Sequence, residues 1–135
     1  MQVLVTGGAG FVGTNLIKKL LKDGHGVISL DNYSTGKKEN EQDGCKYYSL
    51  DLSSSKTIDT LKSIKSVSQI TKFDVIFHLA AKARIAPSIQ NPSESLFNNI
   101  DSTINVLEYA RLYNIPVVYA GSSSAHGDIY ANPYT

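Results

Sequence analysis

The chain has 135 residues, enough for one domain with a hydrophobic core and too few for two. Apolar residues make up 41% and charged residues 19% of the sequence, proportions typical of a folded soluble protein. The formal net charge of +1 provides no strong field for nucleic acid or an anionic membrane, and no apolar stretch is long enough to span a bilayer. We therefore expect neither nucleic acid nor membrane as a partner.

The cysteine content and the first residues both favour a cytoplasmic protein. Cys45 is the single cysteine, so it has no partner for an internal disulfide. No charged segment precedes the apolar run at residues 3–5, as it would in a signal peptide. We interpret Cys45 as a small strand residue, and three scattered histidines with one cysteine predict no metal site.

Five short apolar runs are predicted to form buried parallel strands. The first, second, third and fifth runs stop at glycine or aspartate. The five runs are residues 2–6, 27–30, 46–50, 74–79 and 117–120. Between the first two runs, apolar residues at i, i+1, i+4 and i+5 from Leu16 predict an amphipathic helix that ends at Asp23 and Gly24. Residues 53 to about 65 predict a short second helix.

A long helix is predicted after Pro92 and ends before Asn114 and Pro116. It carries one apolar stripe at intervals of three and four residues, formed by Leu96, Ile100, Thr103, Leu107 and Ala110. The alternation of strands and helices predicts an α/β fold with right-handed crossovers. We expect a doubly wound parallel sheet of five strands in the order 3-2-1-4-5, within a three-layer α/β/α sandwich. Ligands of such sheets bind where the strands end.

A glycine-rich loop follows the first predicted strand. Gly8, Gly10 and Gly13 fit the pattern G-x-G-x-x-G, and Gly7, Gly10 and Gly13 fit G-x-x-G-x-x-G. Glycines between a strand and a helix let main-chain N–H groups approach a pyrophosphate, and the helix N-terminus adds favourable partial charge. This context predicts a dinucleotide site; a plain turn is the alternative.

Asp31 ends the second predicted strand, eighteen residues after Gly13. A carboxylate there can accept hydrogen bonds from the adenosine ribose hydroxyls and would repel a 2′-phosphate. Asn32 follows Asp31, and no Arg close in sequence would bind that phosphate, so NAD is favoured over NADP. An Asp that only caps its strand is the alternative. Asp51 is less diagnostic, because it could equally cap the helix together with residues 53–55.

Several stretches together resemble the extended short-chain dehydrogenase/reductase family, and within it the UDP-glucose and UDP-N-acetylglucosamine 4-epimerase kind of nucleotide-sugar epimerase. They are TGGAGFVG (6–13), LDNYSTGKKEN (30–40), DL (51–52), FHLAAKA (77–83) and VVYAGSSSAHGD (117–128). The resemblance covers essentially the whole chain and implies a Rossmann-type NAD-binding domain over residues 1–135. It also implies later strands and a smaller sugar-nucleotide domain, so this domain is expected to be incomplete.

The resemblance further implies which residues bind NAD. The pyrophosphate would lie against Gly7, Gly10, Phe11, Val12 and Gly13, the adenosine ribose against Asp31 and Asn32, and the adenosine phosphate near Ser34, Thr35 and Gly36. The adenine would contact Asp51 and Leu52, and the nicotinamide ribose would border Leu79, Ala80 and Ala81. Asn99 in the long helix would support the loops at the strand ends.

A catalytic pair is implied by the same resemblance. Ser122 matches the hydroxyl residue after the fifth strand, and Tyr134 matches the tyrosine of the family's P-Y-x-x-S-K stretch. In that family the tyrosine takes the sugar 4-hydroxyl proton while hydride passes from C4 to NAD, and the hydride returns to the other face of the keto-sugar. Ser123 and Ser124 would contact substrate, and they stand where related dehydratases have an Asp-Glu pair and decarboxylases end in Glu.

Epimerisation at C4 of a UDP-hexose is therefore the favoured function, and the alternatives are a related NAD-dependent reductase or dehydrogenase and a non-catalytic dinucleotide-binding fragment. The lysine expected four residues after Tyr134 would fall beyond residue 135, so the chain alone is expected to be inactive. His126 stands where the family usually has Tyr. Tyr130 is the alternative candidate to Tyr134 for the catalytic tyrosine. His78 is interpreted as a packing and hydrogen-bonding residue. Relatives often dimerise through the long helices, so a homodimer is a further expectation.

Overall fold

A five-stranded parallel sheet forms the centre of the chain in the computed structural model, which describes residues 1–122. The spatial order is β3-β2-β1-β4-β5, and the strands are β1 (Gln2–Thr6), β2 (Gly26–Asp31), β3 (Cys45–Ser49), β4 (Val75–His78) and β5 (Val117–Tyr119). Every neighbouring pair is parallel. The predicted strand order and doubly wound topology are confirmed.

Four α-helices connect these strands: α1 (Phe11–Lys22), α2 (Thr57–Val67), α3 (Ile85–Gln90) and α4 (Pro92–Tyr113). A short 3₁₀ turn, Lys38–Asn40, lies between β2 and β3. No helix within residues 1–122 is both long and apolar enough to cross a membrane.

Two helices differ from the sequence prediction. The second helix was expected from residue 53 but begins at Thr57, because the Asp51 carboxylate accepts hydrogen bonds from the Ser53 N–H and hydroxyl at 3.0 and 2.7 Å and holds that segment in a turn. The third helix, α3, was not predicted. Its six residues are too few for a periodic pattern, and both of its isoleucines are exposed.

Each face of the sheet buries its own apolar core. Val3 and Val5 of β1 point to one face and pack with Ile17 of α1. Leu4 points to the opposite face, where the core includes Leu61 of α2 and residues of α4. Because side chains alternate along a strand, β1 serves both cores and lies between the two helical layers.

The long helix α4 buries a mixed face of two serines and three core residues and exposes most of its apolar stripe. Leu96, Ile100 and Leu107 are 56%, 45% and 49% exposed. The buried residues of the helix are Ser95, Ser102, Val106, Tyr109 and Ala110. The stripe found in the sequence is real, but within the part of the chain described here most of it faces away from the sheet.

The loops at the carboxyl ends of β1, β2 and β4 meet at one edge of the sheet. The Gly7 N–H donates to the Leu30 carbonyl at 2.8 Å, and the Leu79 N–H donates to the Thr6 carbonyl at 3.2 Å. Gly7 has a φ of +73°, and a Cβ there would lie 2.8 Å from the Ala80 nitrogen, so the close approach of these loops requires glycine. Helices leave opposite faces of the sheet at this point, which is where ligands of doubly wound sheets bind.

Candidate functional site

A cleft of about 240 Å³ opens at this edge, slightly smaller than most small-molecule sites, whose volumes begin at about 300 Å³. The residues expected at the cofactor line it, with the exception of Gly36; they are Gly7, Gly10, Phe11, Val12, Gly13, Asp31, Asn32, Ser34, Thr35, Asp51, Leu52, Leu79, Ala80, Ala81 and Asn99. Their binding roles stay predictions. The sequence did not point to the remaining lining residues, which are Leu30, Leu50, Lys82, Ala83, Asn98 and Ser102.

The glycine loop and the start of α1 form the first wall of the cleft. Gly10 is the N-cap residue of α1 and supplies no side-chain cap, and no acidic residue lies in the first turn. The first N–H groups of a helix have no partner within it, so they carry positive partial charge. A Cβ on Gly10 would have one close neighbour, the Gly7 carbonyl oxygen at 3.3 Å. This wall therefore fits an anionic group such as a phosphate.

Asp31 joins the glycine loop to the end of β2. One of its carboxylate oxygens accepts a hydrogen bond from the Ala9 N–H at 2.9 Å, and the other accepts from the Tyr33 N–H at 2.8 Å. The residue is 8% exposed and lines the cleft. A carboxylate has about four lone-pair sites, so two remain for hydroxyl groups of a ligand. Asp31 thus has a structural role, and its arrangement is also compatible with the ribose role predicted for it.

The segment after β2 packs onto the outside of the glycine loop. The Asn40 amide donates to the Ala9 carbonyl at 2.8 Å, and the Lys37 N–H donates to the same oxygen at 3.3 Å. A Cβ on Gly36 would lie 2.9 Å from the Ala9 Cβ, so this glycine permits close packing. Gly36 does not line the cleft, and its predicted place near the adenosine phosphate stays a prediction.

The end of β4 forms the opposite wall. The Thr6 hydroxyl oxygen accepts hydrogen bonds from the Leu79 and Ala80 N–H groups, both at 3.2 Å. Further along, the Asn99 amide oxygen accepts from the Lys82 N–H at 2.8 Å, and its amide nitrogen donates to the Lys82 carbonyl at 3.3 Å. Asn99 therefore holds the main chain of this loop. The Lys82 side chain forms an ion pair with Glu94 of α4.

His78 lies directly behind this wall. It is 2% exposed, its Nδ1 is 2.8 Å from the Thr6 hydroxyl, and its Nε2 is 3.2 Å from the Thr103 hydroxyl. Burial lowers the pKa of His78 below its ordinary value, so the ring is neutral at pH 7. The packing and hydrogen-bonding role interpreted from the sequence agrees with this environment.

Cys45 is a strand residue of β3 and not a reactive thiol. It is half-buried, and its Sγ lies 3.8 Å from the Lys46 carbonyl oxygen. Burial is the main cause that raises the pKa of this thiol to about 12, so it stays protonated and a poor nucleophile. Within residues 1–122, no group of three His, Cys, Asp or Glu side chains could hold a metal ion.

The expected catalytic residues lie at or beyond the limit of the described chain. Ser122 is exposed and follows β5 by three residues. Ser123, Ser124, His126, Tyr130 and Tyr134 fall outside the described residues, so the catalytic and substrate-binding predictions for them stay predictions.

Proteins of known family resemble this chain in sequence and structure. The profile of the NAD dependent epimerase/dehydratase family matches residues 3–134. A putative UDP-glucose 4-epimerase of Methanocaldococcus jannaschii is 35% identical over 132 residues, which cover 98% of this chain and 40% of that protein. UDP-glucuronic acid decarboxylase 1 of Danio rerio is 33% identical over 132 residues, which cover 98% of this chain and 30% of that protein.

A solved structure shares the fold. The UDP-glucose 4-epimerase of Thermus thermophilus, in complex with NAD, superposes with a TM-score of 0.78 at 32% identity, and the match covers 90% of this chain and 38% of that one. The chain therefore spans less than half the length of the proteins it resembles here.

The burial of His78 predicts a pH dependence of stability. An unfolded histidine has a pKa of about 6.5, and the pKa of folded His78 is lower. At pH values between these two pKa values, the unfolded chain therefore binds more protons than the folded chain. The free energy of unfolding should then fall as pH is lowered from about 7 to about 5, by at most about 1.4 kcal/mol per pH unit for one group. Urea denaturation across this range measures it. The slope should become shallower in His78→Gln and persist in His25→Gln; equal slopes in the two variants would contradict the prediction.

Proposed function

Because the chain belongs to the NAD dependent epimerase/dehydratase family, we propose that it is the cofactor-binding part of an NAD-dependent enzyme that epimerises C4 of a nucleotide-linked sugar of the UDP-hexose type. The observation that carries the proposal is the cleft itself, where the uncapped start of α1 and the Asp31 carboxylate line one continuous surface. The start of α1 suits a pyrophosphate, and the Asp31 carboxylate suits ribose hydroxyls. Their spacing is set by the adjacent strands β1 and β2, because α1 follows β1 and Asp31 ends β2.

NAD bound in this cleft would supply the hydride acceptor, and the chain would supply its orientation. The main-chain N–H groups at Phe11 and Val12 would face the pyrophosphate, since this is the first turn of α1. The end of β4 at Leu79–Ala81 would lie against the nicotinamide side. Asp51 and Leu52, the residues predicted on the adenine side, line the same cleft as these walls.

The proposed chemistry also needs a base and a hydrogen-bond donor near the sugar. Tyr134 would take the proton of the 4-hydroxyl, and Ser122 would hydrogen-bond the same oxygen. A free tyrosine has a pKa of about 10, so roughly one molecule in a thousand is phenolate at pH 7. A positive charge close to the ring must lower that pKa before Tyr134 is an effective base. The lysine that the resemblance implies for this purpose would lie four residues after Tyr134. Residues 1–135 alone would therefore bind NAD without turning substrate over.

Decarboxylation of a nucleotide-linked uronic acid is the second candidate, because a UDP-glucuronic acid decarboxylase is among the similar proteins. Ser122, Ser123 and Ser124 argue against it, since the decarboxylases end this run in Glu. Release of CO₂ from a UDP-uronic acid by a longer form of the protein would identify this activity. Net oxidation of NADH would instead identify a reductase, because an epimerase returns its cofactor unchanged.

Replacing Gly10 by Glu should abolish NAD binding while the fold is kept. The nearest obstacle to a Cβ is the Gly7 carbonyl oxygen at 3.3 Å, and a negative charge suits the N-terminus of α1. The same charge would repel the pyrophosphate, so we expect affinity to fall by about 100-fold or more, as measured by isothermal titration calorimetry. Asn15→Glu, which adds the same charge to the exposed part of α1, is the control and should bind normally. Unchanged affinity in Gly10→Glu would overturn the phosphate-loop assignment.

Replacing Asp31 by Ala should narrow the preference for NAD over NADP. The carboxylate that accepts from ribose hydroxyls also repels a 2′-phosphate, so its loss weakens NAD and relieves the repulsion. We expect the ratio of the two dissociation constants to change by about tenfold or more. Taking the ratio within each variant cancels any general loosening from the lost bonds to Ala9 and Tyr33. A ratio equal to that of the wild type would mean that Asp31 only caps its strand.

We further propose that the exposed apolar face of α4 is the contact between two copies of the chain. A continuous apolar patch exposed on a soluble domain marks an interaction site. Its members include Leu96, Phe97, Ile100, Ile104 and Leu107, each at least 45% exposed. Sedimentation velocity should show a dimer that Ile100→Glu weakens by about tenfold or more, whereas Lys62→Glu on α2 should leave it intact. A wild-type chain that stays monomeric at high concentration would contradict this proposal.

A further inference from the structure

A chain of hydrogen bonds runs from the end of β1, through the end of β4, to α4. The Thr6 hydroxyl lies 2.8 Å from His78 Nδ1, and His78 Nε2 lies 3.2 Å from the Thr103 hydroxyl. The Thr103 hydroxyl in turn lies 2.7 Å from the Asn99 carbonyl oxygen. Neither His78 nor Thr103 lines the cleft, so no binding role predicted above accounts for this arrangement.

The partners of Thr6 determine which nitrogen of His78 carries the proton. The Thr6 hydroxyl oxygen accepts from the Ala80 N–H and from the Leu79 N–H, which it shares with the Thr6 carbonyl, so no lone pair is left for a third donor. Its own proton must then be donated, and the acceptor within reach is His78 Nδ1. The ring proton therefore resides on Nε2 and is donated to Thr103, whose hydroxyl proton goes to the Asn99 carbonyl. In this order every donor has an acceptor.

The same helix face holds the next part of the loop. Asn99 and Thr103 are four residues apart, so they are neighbours on one face of α4. The Asn99 side chain makes two hydrogen bonds to the Lys82 main chain. The segment 79–82 is thus held at its start through Thr6 and His78 and at its end through Asn99. Its cleft-facing residues Leu79, Ala80 and Ala81 have no long polar side chains, so the shape of this wall is set by its main chain.

We propose that His78 and Thr103 are positioning residues that fix the shape of the 79–82 wall, and so the fit of the nicotinamide half of NAD. The inference rests on the proposed function for the identity of that ligand. Thr103 fixes the His78 proton on Nε2, which leaves Nδ1 to accept from Thr6 and keeps the Thr6 lone pairs directed at the loop. Without the Thr103 hydroxyl, the Nε2 proton is a buried donor with no acceptor, and the Nδ1–H form becomes competitive.

Thr103→Val tests the proposal because it removes the hydroxyl and keeps the size of the side chain. Thr103→Ser restores the hydroxyl, and Thr60→Val is the matched control. Thr60 also bonds the carbonyl four residues back, at 3.0 Å to Lys56, but on α2 away from the cleft. Nitrogen-15 NMR of the histidine rings reports the tautomer of His78, and amide hydrogen exchange reports the opening rates of the Leu79 and Ala80 N–H groups. Calorimetry compares the affinity for NAD with the affinity for AMP, which lacks the nicotinamide half.

In the wild type we expect the Nε2–H form. In Thr103→Val we expect a larger Nδ1–H population, exchange at Leu79 and Ala80 faster by about tenfold, and NAD affinity lower by about tenfold. AMP affinity should stay within about twofold, and Thr103→Ser and Thr60→Val should resemble the wild type. An Nδ1–H form in the wild type, or unchanged exchange in Thr103→Val, would overturn the inference without any cofactor. Equal losses of NAD and AMP would also overturn it, whereas a wild type that binds AMP but not NAD would refute the proposed function.

Discussion

The site depends on how closely the glycine loop approaches the end of β4. A Cβ on Gly7 would lie 2.8 Å from the Ala80 nitrogen, and one on Gly13 would lie 2.2 Å from the Gly7 carbonyl oxygen. Main-chain atoms therefore pack directly against each other here, and this contact requires glycine at both positions. This contact brings the start of α1, the Asp31 carboxylate and the 79–82 segment to one cleft. Longer side chains would separate these walls, and the hydrogen bonds of Thr6 to the β4 end would be lost.

The strands, the glycine loop and Asp31 could be predicted from the sequence because the patterns that specify them are local, whereas most other residues of the cleft were implied by the family resemblance. Apolar runs that stop at glycine or Asp31 define both the strands and the residues at their ends. The start of α2 could not be predicted, since the turn before it is also held by a residue distant in sequence: the Asn105 amide of α4 donates to the Leu52 and Ser54 carbonyls at 2.8 and 3.1 Å. The same holds for Gly36, whose role becomes visible only when the loop folds back onto Ala9.

Helix α4 shows a different limit of sequence patterns. Its apolar and polar residues both recur at helical spacing, so the pattern defines two faces without saying which one packs on the sheet. Partners distant in sequence decide this: His78 and Lys82 form hydrogen bonds with Thr103 and Asn99. The face that carries these two residues turns inward together with Val106, Tyr109 and Ala110. A buried polar group is favourable only when it is satisfied; Asn99 and Thr103 are paired, whereas the buried Tyr109 hydroxyl on the same face has no hydrogen-bond partner among the described residues. The apolar face is left outside, available to another surface.

The double attachment of Asp31 limits how the cofactor preference of this fold can change. Its carboxylate holds the Ala9 and Tyr33 main-chain N–H groups, so the residue that would exclude a 2′-phosphate also anchors the loop. Exchanging it to admit NADP would remove a repulsion and an anchor in one step. A positive charge introduced elsewhere on the cleft wall would favour that phosphate and leave the Asp31 bonds to Ala9 and Tyr33 in place. Cofactor choice and loop rigidity would then become separable traits, open to independent selection.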